Sequence, residues 1–241
     1  MKDEWYALTR YTPARLALGR AGCGLPTARV LEFQLAHARA RDAVNAPFDA
    51  EAFAAAFDGA IVVETLAKSR SDYLMNPDRG RALGAASSNR LPKGPFDAVL
   101  VIADGLSSTA IAAHGVALAK LILAGDGLRW APVIVVRNGR VAIGDAIAAA
   151  IGAETALVMI GERPGLSAAD SVGLYLTRRP QPGLTKDAER NCISNIRPGG
   201  LKLEDAVNRL HWLIAQSRKL GLTGVGLKED APESLPDHRS S

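Results

Sequence analysis

The sequence predicts an α/β fold with a doubly wound, mostly parallel, Rossmann-like sheet, preceded by a helical N-terminal segment. Three apolar runs of five or six residues, at 98–103, 132–136 and 156–160, are separated by segments with helical spacing. Runs that do not alternate with polar residues are typical of strands buried on both faces of a parallel sheet. The chain before about residue 91 reads mainly as helices.

The N-terminal segment is expected to contain at least two helices. Pro26 and Thr27 open the first, in which apolar residues recur at steps of three and four. An alanine-rich stretch at 50–57 predicts the second helix, and residues 61–63 fit either a strand or a helix.

The rest of the chain alternates between strands and helices. A helical face at 111–122 follows the first apolar run, helical alanines at 146–150 follow the second, and a further strand is expected at 172–177. A polar loop is expected at 191–195 and a last helix at 203–220. The resulting divisions are a helical segment (1–91), a doubly wound domain (92–227) and a charged, disordered tail (228–241).

Composition and charge argue against several classes of protein. The net charge of +4 would suit a nucleic-acid binder, but only 5% of the residues are aromatic and acids are mixed among the bases. No run of about 18 apolar residues predicts a membrane span, and the N-terminus lacks a signal peptide. Two cysteines and four dispersed histidines give neither a disulfide framework nor the spacing of a zinc site. We expect a cytoplasmic protein without a structural metal, a nucleic-acid partner or a membrane partner.

Polar and glycine residues cluster where the predicted strands end. They follow the three apolar runs at 104–107, 137–140 and 161–165, and residues 192–195 form a fourth group. Because ligands of open parallel sheets bind at the carboxyl ends of the strands, the four groups together predict a binding site. Each group alone could be an ordinary turn, since glycine and asparagine tolerate positive φ.

Glu162 is the strongest single candidate in these groups. It directly follows a buried strand, and its neighbour Arg163 would point to the opposite side of an extended chain, so the two are poorly placed to pair. The Glu162 carboxylate could accept hydrogen bonds from ligand amides. Cys192 lacks a nearby partner that would make it a nucleophile, which favours a small buried or ligand-facing role.

Several common catalytic and nucleotide-binding motifs are missing from the sequence. There is no phosphate-binding loop ending in Lys-Ser or Lys-Thr, no complete dinucleotide fingerprint and no Gly-x-Ser-x-Gly motif. The residues alone leave two alternatives open: a free-standing nucleotide- or small-molecule-binding α/β protein, and a basic RNA-binding module. Salt-dependent RNA binding would identify the second.

Five motifs, in order between about Leu8 and Leu227, resemble the ethanolamine ammonia-lyase small (light) subunit family. They are Thr-Pro-Ala-Arg through Gly-Arg-Ala-Gly at 12–22, Ile-Ala-Asp-Gly-Leu-Ser at 102–107, Gly-Arg-Val at 139–141, Gly-Glu-Arg-Pro-Gly-Leu at 161–166 and Cys-Ile-Ser-Asn-Ile at 192–196. The resemblance implies a lyase that converts ethanolamine to acetaldehyde and ammonia. It also implies that adenosylcobalamin lies between this chain and a large subunit, which holds the substrate.

The same resemblance implies roles for particular residues. The cobalamin-binding positions of the family fall on Val141, Glu162 and Cys192, and no catalytic residue is expected on this chain. The segment at 1–91 is expected to pack on the large subunit. Only about ten residues precede Thr12, whereas family members packaged in a protein-shelled microcompartment carry a longer extension there, which argues against packaging.

The histidine positions bear on how cobalt would be held. Some cobalamin proteins replace the cofactor's own dimethylbenzimidazole by a histidine in the motif Asp-x-His-x-x-Gly, where the aspartate orients the imidazole. No aspartate here precedes a histidine by two positions, and Ala112 stands where His114 would need one. The sequence therefore predicts that this chain supplies no axial ligand and that benzimidazole stays on the metal.

Overall fold

The computed structural model of the chain describes residues 4–12, 14–125 and 127–228, so that only Lys228 of the expected tail lies within the described residues. The helices are α1 (Thr27–Asn45), α2 (Ala50–Ala54), α3 (Arg70–Met75), α4 (Ala85–Ser88), α5 (Ser108–Ala110), α6 (Val116–Leu123), α7 (Ile143–Ile151) and α8 (Leu203–Leu220), with a π-helical turn (Ile111–Gly115) that joins α5 to α6. The strands are β1 (Ile61–Glu64), β2 (Ala98–Ala103), β3 (Ile134–Arg137), β4 (Thr155–Gly161), β5 (Val172–Arg178) and β6 (Asn191–Ile196). Short 3-10 turns cover Glu4–Arg10, Pro77–Arg81, Asp187–Glu189 and Gly224–Gly226.

The six strands form one mixed sheet in the order β1-β3-β2-β4-β5-β6. The first four strands in this order are parallel to one another, whereas β5 is antiparallel to both β4 and β6. Helices α2, α6 and α8 pack with one face of the sheet, and α7 packs with the other. The predicted α/β, doubly wound and mostly parallel sheet is confirmed.

Burial explains why the central strands could be read from the sequence. Every residue of Ala98–Ala103 and of Thr155–Gly161 is buried, because both strands lie inside the sheet with helices on each face. The ambiguous residues 61–63 belong to β1, which pairs with β3 at the sheet edge. The sheet therefore reaches back across residue 91 into the N-terminal segment.

The polar loop predicted at 191–195 is wrong, because these residues lie in β6. Ile193 and Ile196 are buried in the core beside α8, whereas Cys192 and Ser194 are exposed on the other side. An edge strand that is covered on one face alternates between apolar and polar residues. In β6 a bulge in the pairing with β5 interrupts this alternation, so the sequence lacks a regular strand pattern. The second helix is also shorter than predicted, ending at Ala54 instead of Phe57.

Helix α1 makes little contact with the rest of the chain. Ala43 is its one buried residue, while Leu31, Phe33 and Leu35 are all exposed. Most of the stability of helices in proteins comes from packing of an apolar face, and α1 packs little of its surface against this chain. Within the described residues, none of the helices has both the length and the apolar character needed to cross a membrane.

Candidate functional site

The carboxyl ends of β2, β3 and β4 lie side by side at one edge of the sheet. The loop after β2 leads into the α5–α6 face, and the loop after β3 leads into α7 on the opposite face. Such a change of face between neighbouring strands opens a crevice, where the ligands of doubly wound folds bind. The polar groups predicted at 104–107, 137–140 and 161–165 meet at this crevice.

A buried ion pair joins the loops at the crevice. Arg70 Nη1 donates to Asp104 Oδ2 at 3.0 Å, and the backbone N–H of Gly139 donates to Asp104 Oδ1 at 3.3 Å. Burial raises the pKa of Asp104 to about 6, although Arg70 and backbone donors favour the carboxylate. The pair connects α3 to the ends of both β2 and β3.

Tyr73, on α3, is fully buried between two arginines. Its hydroxyl donates to the Gly139 carbonyl at 3.1 Å, and its ring centroid lies 4.2 Å from Arg140 Cζ and 5.0 Å from Arg70 Cζ. Burial raises the pKa of Tyr73 to about 12, so the hydroxyl remains protonated at neutral pH. Cation–π contacts of this kind hold both guanidinium groups in place.

Two cavities adjoin at Arg140 and Val141 and together form what we call the cleft. The smaller cavity, of about 460 Å³, is lined by Tyr73, Leu106, Arg140, Val141, Ile160, Gly161, Glu162, Arg163 and Tyr175. The larger, of about 930 Å³, extends from Arg140 and Val141 over α7 to the loop at 182–190. The smaller cavity combines apolar and aromatic side chains with a few polar groups, as is typical of a cofactor site, whereas the larger one has many polar and charged side chains in its lining.

Glu162 is anchored at the edge of the smaller cavity. Its backbone N–H donates to the Ser171 carbonyl at 3.0 Å, and its Oε2 accepts from the backbone N–H of Asn195 at 3.1 Å. The side chain lies over Gly173, where a Cβ would stand 3.0 Å from Glu162 Oε1. Arg163 lines the same cavity as Glu162.

Tyr175 connects Glu162 with Cys192. It pairs with Cys192 in the register of β5 and β6, so the two side chains lie next to each other. Partial burial raises the pKa of the Cys192 thiol more than the tyrosine lowers it, and the negative charge of Glu162 raises it further. The thiol is therefore neutral at neutral pH, which is unlike an activated nucleophile.

Two of the three predicted site residues line the cleft directly. Val141 and Glu162 face the smaller cavity, whereas Cys192 lies beside it, on the surface behind Tyr175. Sequence reasoning missed Tyr73 and Tyr175. The alternation of side chains along the strand predicted at 172–177 could have suggested Tyr175, but the polar sequence of α3 gave no signal for Tyr73. Within the described ranges, no cluster of three potential metal ligands occurs.

Residues 2–228 match the family model described as ethanolamine ammonia-lyase light chain (EutC). The ethanolamine ammonia-lyase small subunit of Rhodococcus erythropolis is 47% identical over 94% of this chain and 90% of its own length. The corresponding small subunits of Bradyrhizobium diazoefficiens and Azotobacter vinelandii are 45% and 44% identical, over 95% and 100% of this chain and 92% and 93% of their own lengths. The chain therefore belongs to the ethanolamine ammonia-lyase light-chain family, the small subunits of a carbon–nitrogen lyase.

Proposed function

We propose that this chain is the cobalamin-contacting subunit of an adenosylcobalamin-dependent ethanolamine ammonia-lyase. Together with a large subunit, the enzyme would convert ethanolamine to acetaldehyde and ammonia. The observation that carries the proposal is the cleft, in which Val141 and Glu162 come together from separate strand ends in a member of this family. Both positions were expected to contact the cofactor on the basis of their motifs.

The chemistry of the cleft fits a corrinoid. A corrinoid is broad and carries many peripheral amides, so it requires apolar walls and dispersed hydrogen-bonding groups. Val141 and Ile160 supply apolar surface, and Glu162 Oε1 is available as an acceptor because Asn195 occupies Oε2. When bound, adenosylcobalamin supplies a radical through its cobalt–carbon bond, and the protein orients the cofactor and excludes competing reactions.

The residues of this chain would act by positioning and not by proton transfer. Glu162 is held by the backbone of Asn195 at the end of β6, and Cys192 lies beside Tyr175 in the register of β5 and β6. These contacts fix an acceptor and a small polar group relative to the wall formed by Val141. We assign the substrate-binding and catalytic groups to the large subunit.

The N-terminal segment at 1–91 is proposed to pack on that large subunit. The exposed apolar residues Leu31, Phe33 and Leu35 of α1 support this role, as do Trp5 and Tyr6 near the chain start. The sheet domain leaves α1 almost entirely uncovered, and an exposed apolar surface of this kind commonly marks a protein–protein interface. The name of the family, a small subunit, implies a large subunit, which would cover the exposed surface of α1.

Reconstitution tests the proposed function. The purified chain and a large subunit of the same enzyme are mixed, and ammonia release from ethanolamine is measured with and without adenosylcobalamin. We expect turnover only when both subunits and the cofactor are present. Cyanocobalamin, which lacks the adenosyl group, serves as the control and should not support turnover. Robust ammonia release by the isolated chain would overturn the assignment of catalysis to the partner.

A further inference from the structure

Arg140 is the cationic side chain shared by the two cavities of the cleft. Among the described residues it forms no ion pair with a carboxylate, and its Nε is buried without a hydrogen-bond partner. Acidic residues that line the two cavities with it are engaged elsewhere. Both Asp145 oxygens accept from Arg190, at 2.7 and 2.6 Å, and Glu162 Oε2 accepts from a backbone N–H.

The position of the Arg140 guanidinium is fixed from several sides. It lies over the buried ring of Tyr73, its Nη2 donates to the Tyr73 carbonyl at 3.5 Å, and the Arg140 backbone N–H donates to the Gly80 carbonyl at 2.8 Å. A Cβ at Gly80 would lie 2.9 Å from Arg140 Cγ, so the glycine leaves the room that this side chain needs. A preorganised arginine loses less conformational freedom when it binds an anion.

A half-buried guanidinium without a carboxylate partner favours an anionic ligand, because desolvated charge is costly unless it is paired. In cobalamin, the peripheral side chains of the corrin ring are neutral amides, and the peripheral anion is the phosphodiester of the nucleotide arm. We propose that Arg140 binds this phosphodiester. The inference rests on the proposed function and adds a specific residue and a specific group of the cofactor to it.

Corrinoids that differ in the phosphate group test the proposal. The complex of this chain with its large subunit is prepared as wild type and as Arg140→Gln, and the affinities for cyanocobalamin, cobinamide phosphate and cobinamide are measured by equilibrium dialysis with visible absorption. Cobinamide lacks the phosphate, the ribose and the base, whereas cobinamide phosphate keeps the phosphate. Because charge-assisted bonds are worth more than neutral ones, Arg140→Gln should bind the two phosphate-bearing corrinoids about ten- to a hundredfold more weakly. Its affinity for cobinamide should change by less than about threefold.

Two further variants sharpen the comparison. Arg140→Lys keeps the charge and should retain part of the preference for cobinamide phosphate over cobinamide. Arg129→Gln removes one positive charge from an exposed pair with Asp97, next to the start of β2, and should leave all three affinities unchanged.

The outcomes separate this inference from the proposed function. An equal loss for cobinamide and cobinamide phosphate in Arg140→Gln would show that Arg140 supports the cleft without contacting the phosphate. The inference would then be wrong, while the proposed function would stand. If the wild-type complex binds none of the corrinoids, both are wrong.

Discussion

Arg190 and Asp145 form a buried bidentate ion pair under the larger cavity, with Nη1–Oδ1 and Nη2–Oδ2 distances of 2.7 and 2.6 Å. Both side chains are only 3% exposed. Arg190 Nη1 also donates to Thr177 Oγ1 at 3.0 Å, so the pair links α7, β5 and the start of β6. The wall of the cleft formed by α7 is thereby tied to the edge strand that carries Cys192.

Breaking this pair on one side should destabilise the protein strongly. Asp145→Asn leaves the buried Arg190 guanidinium only the fully exposed Asp187 carboxylate, 3.6 Å from its Nε, and loss of a buried counter-ion typically costs about 3–5 kcal/mol in the free energy of unfolding. Urea unfolding followed by circular dichroism measures the change. Asp78→Asn, in the exposed pair with Arg81, is the control and should cost less than about 1 kcal/mol. Similar losses in both variants would contradict the buried pair's role.

Asp104 should give stability a distinct pH dependence. Its folded-state pKa is raised to about 6 by burial, above the usual carboxyl value, so the folded state takes up the proton first as the pH falls. This group therefore contributes stability below about pH 4 that is lost as the pH rises through 6. Urea unfolding of wild type and Asp104→Asn at pH 4, 5, 6 and 7 measures the effect. The difference in the free energy of unfolding, wild type minus variant, should fall as the pH rises. A difference that stays constant with pH would contradict a raised pKa of Asp104.

Elements could be predicted from the sequence where their buried residues form a clear run or a regular period of apolar residues. Strand β2 matches its apolar run from Ala98 to Ala103, and α8 has its predicted ends at Leu203 and Leu220. The antiparallel direction of β5 could not be predicted, because side-chain pattern does not report strand direction. Strand β6 could not be distinguished from a loop, because Asn191, Ser194 and Asn195 are polar on an open edge of the sheet.

The candidate site was only partly predictable for a related reason. Glu162 could be found because it follows a buried run, and strand ends converge in a parallel sheet. The sandwich of Tyr73 between Arg70 and Arg140 depends on α3 crossing the ends of β2 and β3, which is a tertiary contact between distant parts of the chain. No local pattern encodes such a contact.

Glu162→Gln should weaken cofactor binding while leaving the loop intact. The amide oxygen of glutamine can still accept from the Asn195 backbone N–H, which leaves a donor in place of the Oε1 acceptor on the cleft side. Loss of a buried hydrogen bond costs about 1–3 kcal/mol, so cobalamin affinity in the complex should fall about ten- to a hundredfold. Equilibrium dialysis measures it, with exposed Glu204→Gln as the control. Affinity equal to wild type would make Glu162 a turn residue only.

Cys192 should be protected from alkylation by the cofactor. Its thiol lies on the surface beside Tyr175 at the edge of the cleft, whereas Cys23 is exposed in the N-terminal segment. In the complex with the large subunit, cobalamin should slow the reaction of Cys192 with iodoacetamide at least about tenfold if the two are in contact, because bound ligand blocks access to a thiol. Mass spectrometry compares each cysteine in the complex with and without cobalamin, so that each thiol is its own reference. Equal effects on the two thiols would argue against a contact at Cys192.

The described histidines lie away from the cleft. His37 packs its ring against Phe33 on α1, and His211 lies on α8 with Nε2 3.5 Å from the Ile122 carbonyl. His114 Nε2 is 3.5 Å from Asp170 Oδ2, in the π-helical turn on the face of the sheet opposite Val141. His238 falls outside the described residues.

This placement sharpens the prediction that the chain supplies no axial ligand and that cobalt keeps its benzimidazole. A histidine ligand would need an imidazole free to reach the cleft and an aspartate behind it, and His114 has the carboxylate but faces away from the cleft. The test is electron paramagnetic resonance of cob(II)alamin in the complex, with only the histidines of this chain labelled with nitrogen-15. Superhyperfine splitting should be the triplet of nitrogen-14 from the cofactor, unchanged by the label. A doublet from nitrogen-15 would identify a histidine of this chain as the ligand and refute the prediction.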